Sequence, residues 1–139
     1  GNLLLNVGPD ARGRIPAPSV KILEQVGRWM AANGSSIYNC GASGFEKPEW
    51  GRYTRNGRKL YAHVLDSQMG AVCLPNLAGK IEKLRLLSSG SEIQMPANFW
   101  NLKEFPQHGF FFLGQSATSY PLPDPVDTVV EITLKEECP

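Results

Sequence analysis

The opening of the chain constrains its fold more than any other stretch, because a short apolar run there stops at a proline loop before a helix. Residues 3–7 are apolar except for Asn6, and Gly8-Pro9 ends the run. Such a run is typical of a strand that is covered on both faces, as in a parallel sheet or barrel. The order strand, loop, helix is one unit of an α/β fold. We therefore expect residues 3–7 to form a strand.

The helix is predicted over residues 17–34. Pro16 and Pro18 stand where a first helical turn tolerates proline, and Asn33-Gly34 is a stop signal in which glycine can adopt the left-handed conformation. The apolar positions recur at steps of three and four residues and make one face: Val20, Leu23, Val26, Trp29 and Met30. Trp29 is interpreted as a core residue rather than a ligand platform, since a tryptophan mainly supplies packing area.

After Tyr38 the pattern changes to short strands separated by turns. Residues 39–49 are rich in Gly, Ser and Pro and are predicted to be a linker. No helical period follows residue 34, and there is no internal repeat. The predicted strands after the first hairpin are residues 71–74, 80–87, 92–95, 99–102, 109–114 and 128–134. This spacing predicts an antiparallel β-sandwich over residues 50–139.

Asn56-Gly57 predicts a two-residue hairpin turn, because both residues can take a positive φ. With these two at its centre, the turn places Tyr53 opposite Leu60 and Arg52 opposite Tyr61.

Two faces of the hairpin follow from this register. We expect Tyr53 to share the core face with Leu60, Ala62 and Val64. Arg52 and Tyr61 would meet in a cation–π contact on the other face. His63 also points to that outer face, and we interpret it as solvated or hydrogen-bonded rather than catalytic.

Composition bounds the class of protein. The 139 residues are 42% apolar with a net charge of +1, which suits a folded core and gives no basic footprint for nucleic acid. No apolar run approaches the ~20 residues of a membrane span. Cys40, Cys73 and Cys138 are far apart and lack metal-ligand spacing, so no zinc site is expected. At most one disulfide can form, and two buried thiols with one exposed thiol near the terminus is the favoured interpretation.

Five stretches carry a resemblance to a known family. Residues 1–16, with Gly27-Arg28-Trp29 and Asn33-Gly34-Ser35-Ser36-Ile37-Tyr38, resemble the end of the catalytic barrel in the α-L-fucosidases of glycoside hydrolase family 29. Trp50-Gly51-Arg52-Tyr53-Thr54 and Leu122-Pro123-Asp124-Pro125-Val126-Asp127-Thr128-Val129 resemble the C-terminal β-sandwich of that family.

The resemblance implies a mainly β chain with one helix. It comprises the last strand-helix unit of a (β/α)8-type barrel at residues 1–38, a linker at 39–49 and an antiparallel β-sandwich at 50–139. Since no initiator Met or signal peptide opens the chain, we expect Gly1 to be an internal start and the chain to be the C-terminal part of a longer protein. We also expect residues 1–34 to be covered by the sandwich, a second chain or the remainder of the barrel.

The resemblance also implies an activity. Family members are retaining glycosidases that release L-fucose from fucosylated glycans without a cofactor, using two carboxyl groups about 5 Å apart. The nucleophilic aspartate, the acid/base glutamate and the fucose-binding motifs of the family precede the matching segment. No catalytic residue and no metal site are therefore expected here, and the segment alone should be inactive. Family members usually act outside the cytoplasm, so a periplasmic, secreted or lysosomal location is expected, with no nucleic-acid or membrane partner.

A few side chains remain as candidates for a site. Asp10 follows the predicted strand, where barrel enzymes place their chemistry, but a turn in which it accepts nearby amides is favoured. Asn6 is a candidate to brace the loops around the sugar pocket from a second layer. Four aromatics are candidates for stacking on a sugar, although a core role is favoured: Trp50, Tyr53, Trp100 and Phe110. The alternative to a fucosidase segment is a non-catalytic module. Aromatics that face solvent would favour a carbohydrate-binding module, and buried aromatics would favour a purely structural β-sandwich.

Overall fold

The computed structural model describes residues 3–114 and 118–136. The chain divides into two compact units, Gly1–Gly34 and Ser35–Pro139. The predicted domain bounds at residues 1–38, 39–49 and 50–139 stay a prediction. Cys138, expected to be exposed, lies outside the described residues.

The first unit contains the predicted helix, α1, at Ala17–Asn33. Pro16 caps its start without a side-chain hydrogen bond. Gly34 does not take the expected left-handed conformation: at φ −57 and ψ −25 it leads into a 3-10 turn, Gly34–Ser36. No helix in the described part of the chain is long and apolar enough to cross a membrane.

The strand expected at residues 3–7 is absent, and this prediction was wrong for the described chain. Residues 3–10 are irregular, and Leu3 and Leu4 are 90% and 94% exposed. A strand needs neighbours for its backbone N–H and C=O groups, and these residues pair with none in the described structure. Apolar residues of α1 are exposed as well, among them Ile22 and Val26.

The second unit is built from antiparallel strands. They are β1 at Gly41–Ala42, β2 at Gly51–Asn56, β3 at Lys59–Val64, β4 at Val72–Leu74, β5 at Ile81–Leu86, β6 at Gly109–Phe111 and β7 at Thr128–Leu134. One sheet has the order β1-β2-β3-β7-β5, and β4 pairs with β6 in the other. The expected mainly β fold with antiparallel sheets and one long helix is confirmed.

Three local predictions in this unit were wrong. The linker contains β1, which pairs with β2 through Gly41 and Ala42. Residues 99–102 do not form a strand, because Asn101–Glu104 forms a short helix, α2. Residues 92–95 form only a single bridge, from Glu92 to Arg85. These stretches have too few apolar residues in alternation to show from sequence which geometry they adopt.

Both sheets contribute to one apolar core. The larger sheet contributes Leu60, Ala62, Val64, Leu84, Val130, Ile132 and Leu134. The smaller sheet contributes Val72, Leu74 and Phe111. Alternation along β7 predicted its three core positions correctly, because successive side chains of a strand point to opposite faces.

The first hairpin has the predicted faces but a different register. Asn56 pairs with Lys59, so Gly57 and Arg58 are the central turn residues, and Tyr53 stands opposite Ala62 rather than Leu60. Gly57 has φ 56, and no positive φ is found at Asn56 or Arg58. A turn with glycine first needs only that one positive φ, which suits the twist of the flanking strands.

The change of register also removes one predicted contact. Arg52 now stands opposite His63, and Tyr61 stands opposite Thr54. The cation–π contact expected between Arg52 and Tyr61 is therefore wrong. The faces survive because the pairing moves by an even number of residues, which keeps every side chain on its side of the sheet.

Candidate functional site

Asp10 lies in a local turn of the first unit. Its Oδ1 accepts hydrogen bonds from the backbone N–H groups of Arg12 at 2.8 Å and Arg14 at 2.9 Å, and its Oδ2 accepts one from Arg14 Nε at 3.2 Å. The two backbone bonds lower the pKa of the Asp10 carboxyl, and the Arg14 side chain adds to the effect. These are the amide bonds expected of the turn. Asn6 is exposed on the irregular segment before it.

Three of the four candidate aromatics belong to packed clusters. Trp50 is 5% exposed and donates its indole N–H to the carbonyl of Cys73 at 2.7 Å. Tyr53 meets Trp50 edge-on at 5.4 Å between ring centroids, and burial raises the pKa of Tyr53 far above its usual value. Phe110 is buried on β6. These three rings are not accessible to a sugar.

Trp100 differs from the other three. It is 67% exposed at the start of α2, where its carbonyl accepts a hydrogen bond from the Lys103 backbone N–H at 3.1 Å. At 25 cal/mol per Å² and 150–250 Å² for a large aromatic, this exposure leaves about 2–4 kcal/mol of burial free energy unrealised. Trp100 is therefore a large aromatic side chain that the fold itself leaves mostly unburied.

Phe99 anchors Trp100 to the protein. The two ring centroids are 5.9 Å apart, and Phe99 packs edge-on against Phe110 at 5.5 Å and against Phe112 at 5.3 Å. We name Phe99, Trp100, Phe110 and Phe112 the aromatic cluster. Sequence reasoning named Trp100 as a stacking candidate but favoured a core role for it, and it predicted a strand rather than a helix at residues 99–102.

A groove of about 390 Å³ adjoins the aromatic cluster through Phe112. Glu92 and Gln94 supply polar groups to its lining, and Leu86 and Pro123 supply apolar ones. The Gln94 amide donates to Glu92 Oε1 at 3.4 Å, and Lys83 Nζ lies 3.4 Å from Glu92 Oε2. The groove therefore combines hydrogen-bonding groups of nearly balanced charge with an aromatic wall.

His63 is buried on the face of the large sheet opposite the core. Its Nδ1 lies 2.8 Å from Asp127 Oδ2 and its Nε2 lies 3.2 Å from Thr54 Oγ1. The Thr54 hydroxyl also donates to the carbonyl of Ser36 at 2.5 Å. Hydroxyl, imidazole and carboxylate stand in the order used by nucleophilic hydrolases. Here, however, the Thr54 hydroxyl already donates to Ser36 and the imidazole is buried, so the three groups hold neighbouring segments together. The interpretation of His63 as a hydrogen-bonded rather than catalytic residue matches this arrangement.

Glu131 is the second buried polar residue of that face, at 4% exposed. It accepts hydrogen bonds from Arg85 Nε at 2.8 Å and Nη2 at 3.1 Å, and from Lys59 Nζ at 3.2 Å. Burial raises the pKa of Glu131, but the bonds from Arg85 and Lys59 outweigh it, and the pKa is lowered. A carboxylate held this way is ionised, and both of its oxygens accept hydrogen bonds from protein groups, which suits a structural role.

The described residues hold no group of three His, Cys, Asp or Glu side chains placed to bind a metal ion. Cys40 and Cys73 are half-buried free thiols. Burial raises the pKa of both thiols, which makes them poor nucleophiles.

Known proteins resemble this chain in sequence. A family model described as Alpha-L-fucosidase matches residues 1–35. An α-L-fucosidase of Branchiostoma floridae is 30% identical over 115 residues, which is 69% of this chain and 25% of that protein. An α-L-fucosidase of Dictyostelium discoideum is 53% identical over 38 residues, which is 27% of this chain and 8% of that protein. The chain therefore spans a quarter or less of these relatives.

Solved structures resemble the chain along nearly its whole length. α-L-Fucosidase isoenzyme 1 from Paenibacillus thiaminolyticus matches with a TM-score of 0.89 and 47% identity, covering 98% of this chain and 31% of that one. A glycoside hydrolase family 29 α-L-fucosidase from Bacteroides thetaiotaomicron, trapped as a covalent intermediate with 2-fluoro-fucosyl fluoride, matches with a TM-score of 0.71 and 25% identity over 94% of this chain and 28% of that one. The chain therefore belongs to the α-L-fucosidase family.

Proposed function

We propose that the chain is the C-terminal portion of a retaining α-L-fucosidase that releases L-fucose from fucosylated glycans. The observation that carries this proposal is the similarity in sequence and fold to the Paenibacillus enzyme over 98% of the chain. In this proposal the segment completes and supports a catalytic barrel, and its own residues perform no bond cleavage.

Residues 3–7 are the part that would complete the barrel. Leu3, Leu4 and Leu5 are exposed, and a run of exposed leucines is unfavourable unless another surface covers it. Neighbouring barrel strands would cover both faces of this run and pair its backbone groups. The exposed apolar residues of α1 would likewise pack on the outside of those strands.

The two antiparallel sheets of the second unit would form the C-terminal β-sandwich that supports the barrel. Their common core and the polar contacts of His63 and Glu131 stabilise this unit. Asn6, at the end of the apolar run, would brace loops around the sugar pocket from a second layer.

The chemistry in this proposal uses two carboxyl groups about 5 Å apart, one as nucleophile and one as acid/base. We place both in the part of the parent protein that precedes this segment. Asp10, the best-placed carboxylate here, is committed to the Arg12 and Arg14 amides, which supports a structural role for it. The reaction needs no cofactor, and the location proposed for the parent enzyme is periplasmic, secreted or lysosomal.

An assay with an aryl α-L-fucoside tests this proposal. We expect the longer polypeptide, with the barrel residues that precede Gly1, to release the aryl group, and the 139-residue chain alone to release none. Release by the chain alone would show that our placement of the chemistry is wrong. Inactivity of the folded longer polypeptide toward α-L-fucosides would refute the fucosidase proposal itself.

A non-catalytic carbohydrate-binding module is the second candidate function, and one observation favours it. Trp50, Tyr53 and Phe110 pack inside the protein, but Trp100 faces solvent beside a groove with polar groups. A binding surface and a supporting role in an enzyme are compatible, because they use different residues.

A further inference from the structure

We propose that the groove and Trp100 together form a saccharide-binding surface, which takes a neutral glycan chain. The proposal rests on the proposed function for the class of ligand, since a fucosidase acts on glycans. The site itself is inferred from the geometry of residues 86–113 and Pro123.

Trp100 supplies the stacking surface. A pyranose ring has one face lined mainly by C–H groups, which carry partial positive charge and pack against the electron-rich face of an indole. The indole is largely exposed, yet its position is fixed by Phe99 and by the backbone of α2. A fixed aromatic loses little conformational entropy on binding.

Glu92 and Gln94 supply the hydrogen bonds in the groove. A carboxylate accepts from sugar hydroxyls, and an amide both donates and accepts, so the pair matches the mixed character of a hydroxyl. Lys83 beside Glu92 balances its charge, which favours a neutral ligand over an ionic one. A volume of about 390 Å³ lies within the roughly 300–1,000 Å³ range of small-ligand sites.

The aromatic cluster joins the two parts of the surface. Phe112 lines the groove, and Phe99 contacts both Phe112 and Trp100. A glycan with one ring in the groove therefore has the next part of its chain within reach of the indole. The recognition is of a chain rather than of a single fucose ring.

A titration monitored by NMR tests the proposal on the full chain. The probes are 2′-fucosyllactose, lactose and methyl α-L-fucoside, and the signals are the indole N–H resonances of Trp50 and Trp100. Calorimetric titration measures the affinities of the wild type and of the variants, because Trp100→Ala and Trp100→Phe lack the Trp100 signal. We expect 2′-fucosyllactose to shift the Trp100 resonance and leave that of buried Trp50 unchanged. We expect Trp100→Ala to weaken the affinity about tenfold or more and Trp100→Phe to retain most of it. Gln94→Ala should weaken it several-fold.

Tyr38→Ala is the matched control, because Tyr38 is about as exposed as Trp100 and does not line the groove. Its affinity should equal that of the wild type. A Trp100→Ala variant that folds and binds as tightly as the wild type would overturn the proposal. So would the absence of any Trp100 shift with all three probes.

Sedimentation at several protein concentrations distinguishes saccharide binding from self-association of the chain through the same surface. Self-association that Trp100→Ala abolishes, without saccharide binding, would show that this surface joins copies of the protein and would overturn the proposal. Hydrolysis is measured independently: if the wild-type chain binds none of the saccharides while the longer polypeptide hydrolyses α-L-fucosides, only this surface is refuted. Inactivity with intact binding refutes only the fucosidase proposal.

Discussion

Arg85 holds the buried carboxylate of Glu131 with two parallel hydrogen bonds, from Nε at 2.8 Å and from Nη2 at 3.1 Å. The two residues stand opposite each other in the register of β5 and β7. Lys59 on β3 adds a third bond, so one carboxylate joins three neighbouring strands on the face opposite the core. Polar contacts therefore contribute to the stability of the large sheet together with its apolar core.

Removing the charge of Glu131 should destabilise the chain. Glu131→Gln leaves the Arg85 guanidinium without its anion and loses the charge-assisted bonds, which should lower the free energy of unfolding by about 2 kcal/mol. Urea unfolding followed by circular dichroism measures this. Glu82→Gln is the control, because Glu82 pairs with Arg58 in an exposed ion pair, and such pairs contribute about 0–1 kcal/mol. Equal effects of the two substitutions would contradict the structural role of Glu131.

The same carboxylate gives a pH dependence with a defined sign. The pKa of Glu131 is lowered in the folded state from an ordinary value near 4.5. The unfolded chain therefore binds the proton more readily, and the contribution of Glu131 is complete above about pH 4.5 and is lost as the pH falls through the lower folded pKa. Urea midpoints from pH 7 down to pH 3 should fall less steeply in Glu131→Gln than in the wild type. Parallel curves would show that Glu131 is not the group responsible.

Trp50 is packed in the core and makes a hydrogen bond there, so a smaller aromatic at this position loses both that bond and part of the packing. Trp50→Phe deletes the indole N–H and leaves the Cys73 carbonyl without this donor, which should cost about 1–3 kcal/mol in the free energy of unfolding. Trp100→Phe should change it by less than about 0.5 kcal/mol, because the ring is mostly in water. Thermal or urea unfolding of the two variants distinguishes them, and a larger loss at Trp100 would contradict the assignment of core and surface.

Gly57 tests the positive φ of the hairpin turn. With φ 56 at the first central turn position, Gly57→Ala should lower the free energy of unfolding by about 1–2 kcal/mol. Gly57→Asn should be milder, since asparagine tolerates a positive φ better. Gly70→Ala is the control, because Gly70 has no positive φ and open space at its Cβ position. If Gly57→Ala were as harmless as Gly70→Ala, the turn would not be centred on Gly57 and Arg58.

Strands with a strong alternation of apolar and polar residues could be predicted from the sequence, because the alternation determines which side chains are buried. β7 was predicted with its observed bounds, Thr128–Leu134, because alternating Val130, Ile132 and Leu134 leave only one way to face a core. The turn of the first hairpin was misplaced by one residue, since Asn56-Gly57 and Gly57-Arg58 both offer a glycine for a positive φ. Tertiary pairing, rather than local sequence, determines the choice.

The contacts of Glu131 and the exposure of Trp100 could not be predicted from the sequence, for a different reason. Glu131 alternates to the outer face of β7, and nothing local indicates that Arg85 and Lys59 cover it there. Trp100 has the composition of a core residue, and only the formation of α2 turns it outward. At residues 3–7 the sequence pattern is clear but the structure differs. The apolar run predicts a strand, and the described residues contain no neighbouring strand with which it could pair.

The most direct test of the account is the site of covalent labelling in the active longer polypeptide. Treatment with 2-fluoro-fucosyl fluoride, followed by peptide mapping, locates the nucleophilic carboxylate of a retaining fucosidase. The account predicts a single fucosyl adduct on a peptide that precedes Gly1 and none on the 139 residues described above. An adduct on any carboxylate of this chain, Asp10 in particular, would contradict it.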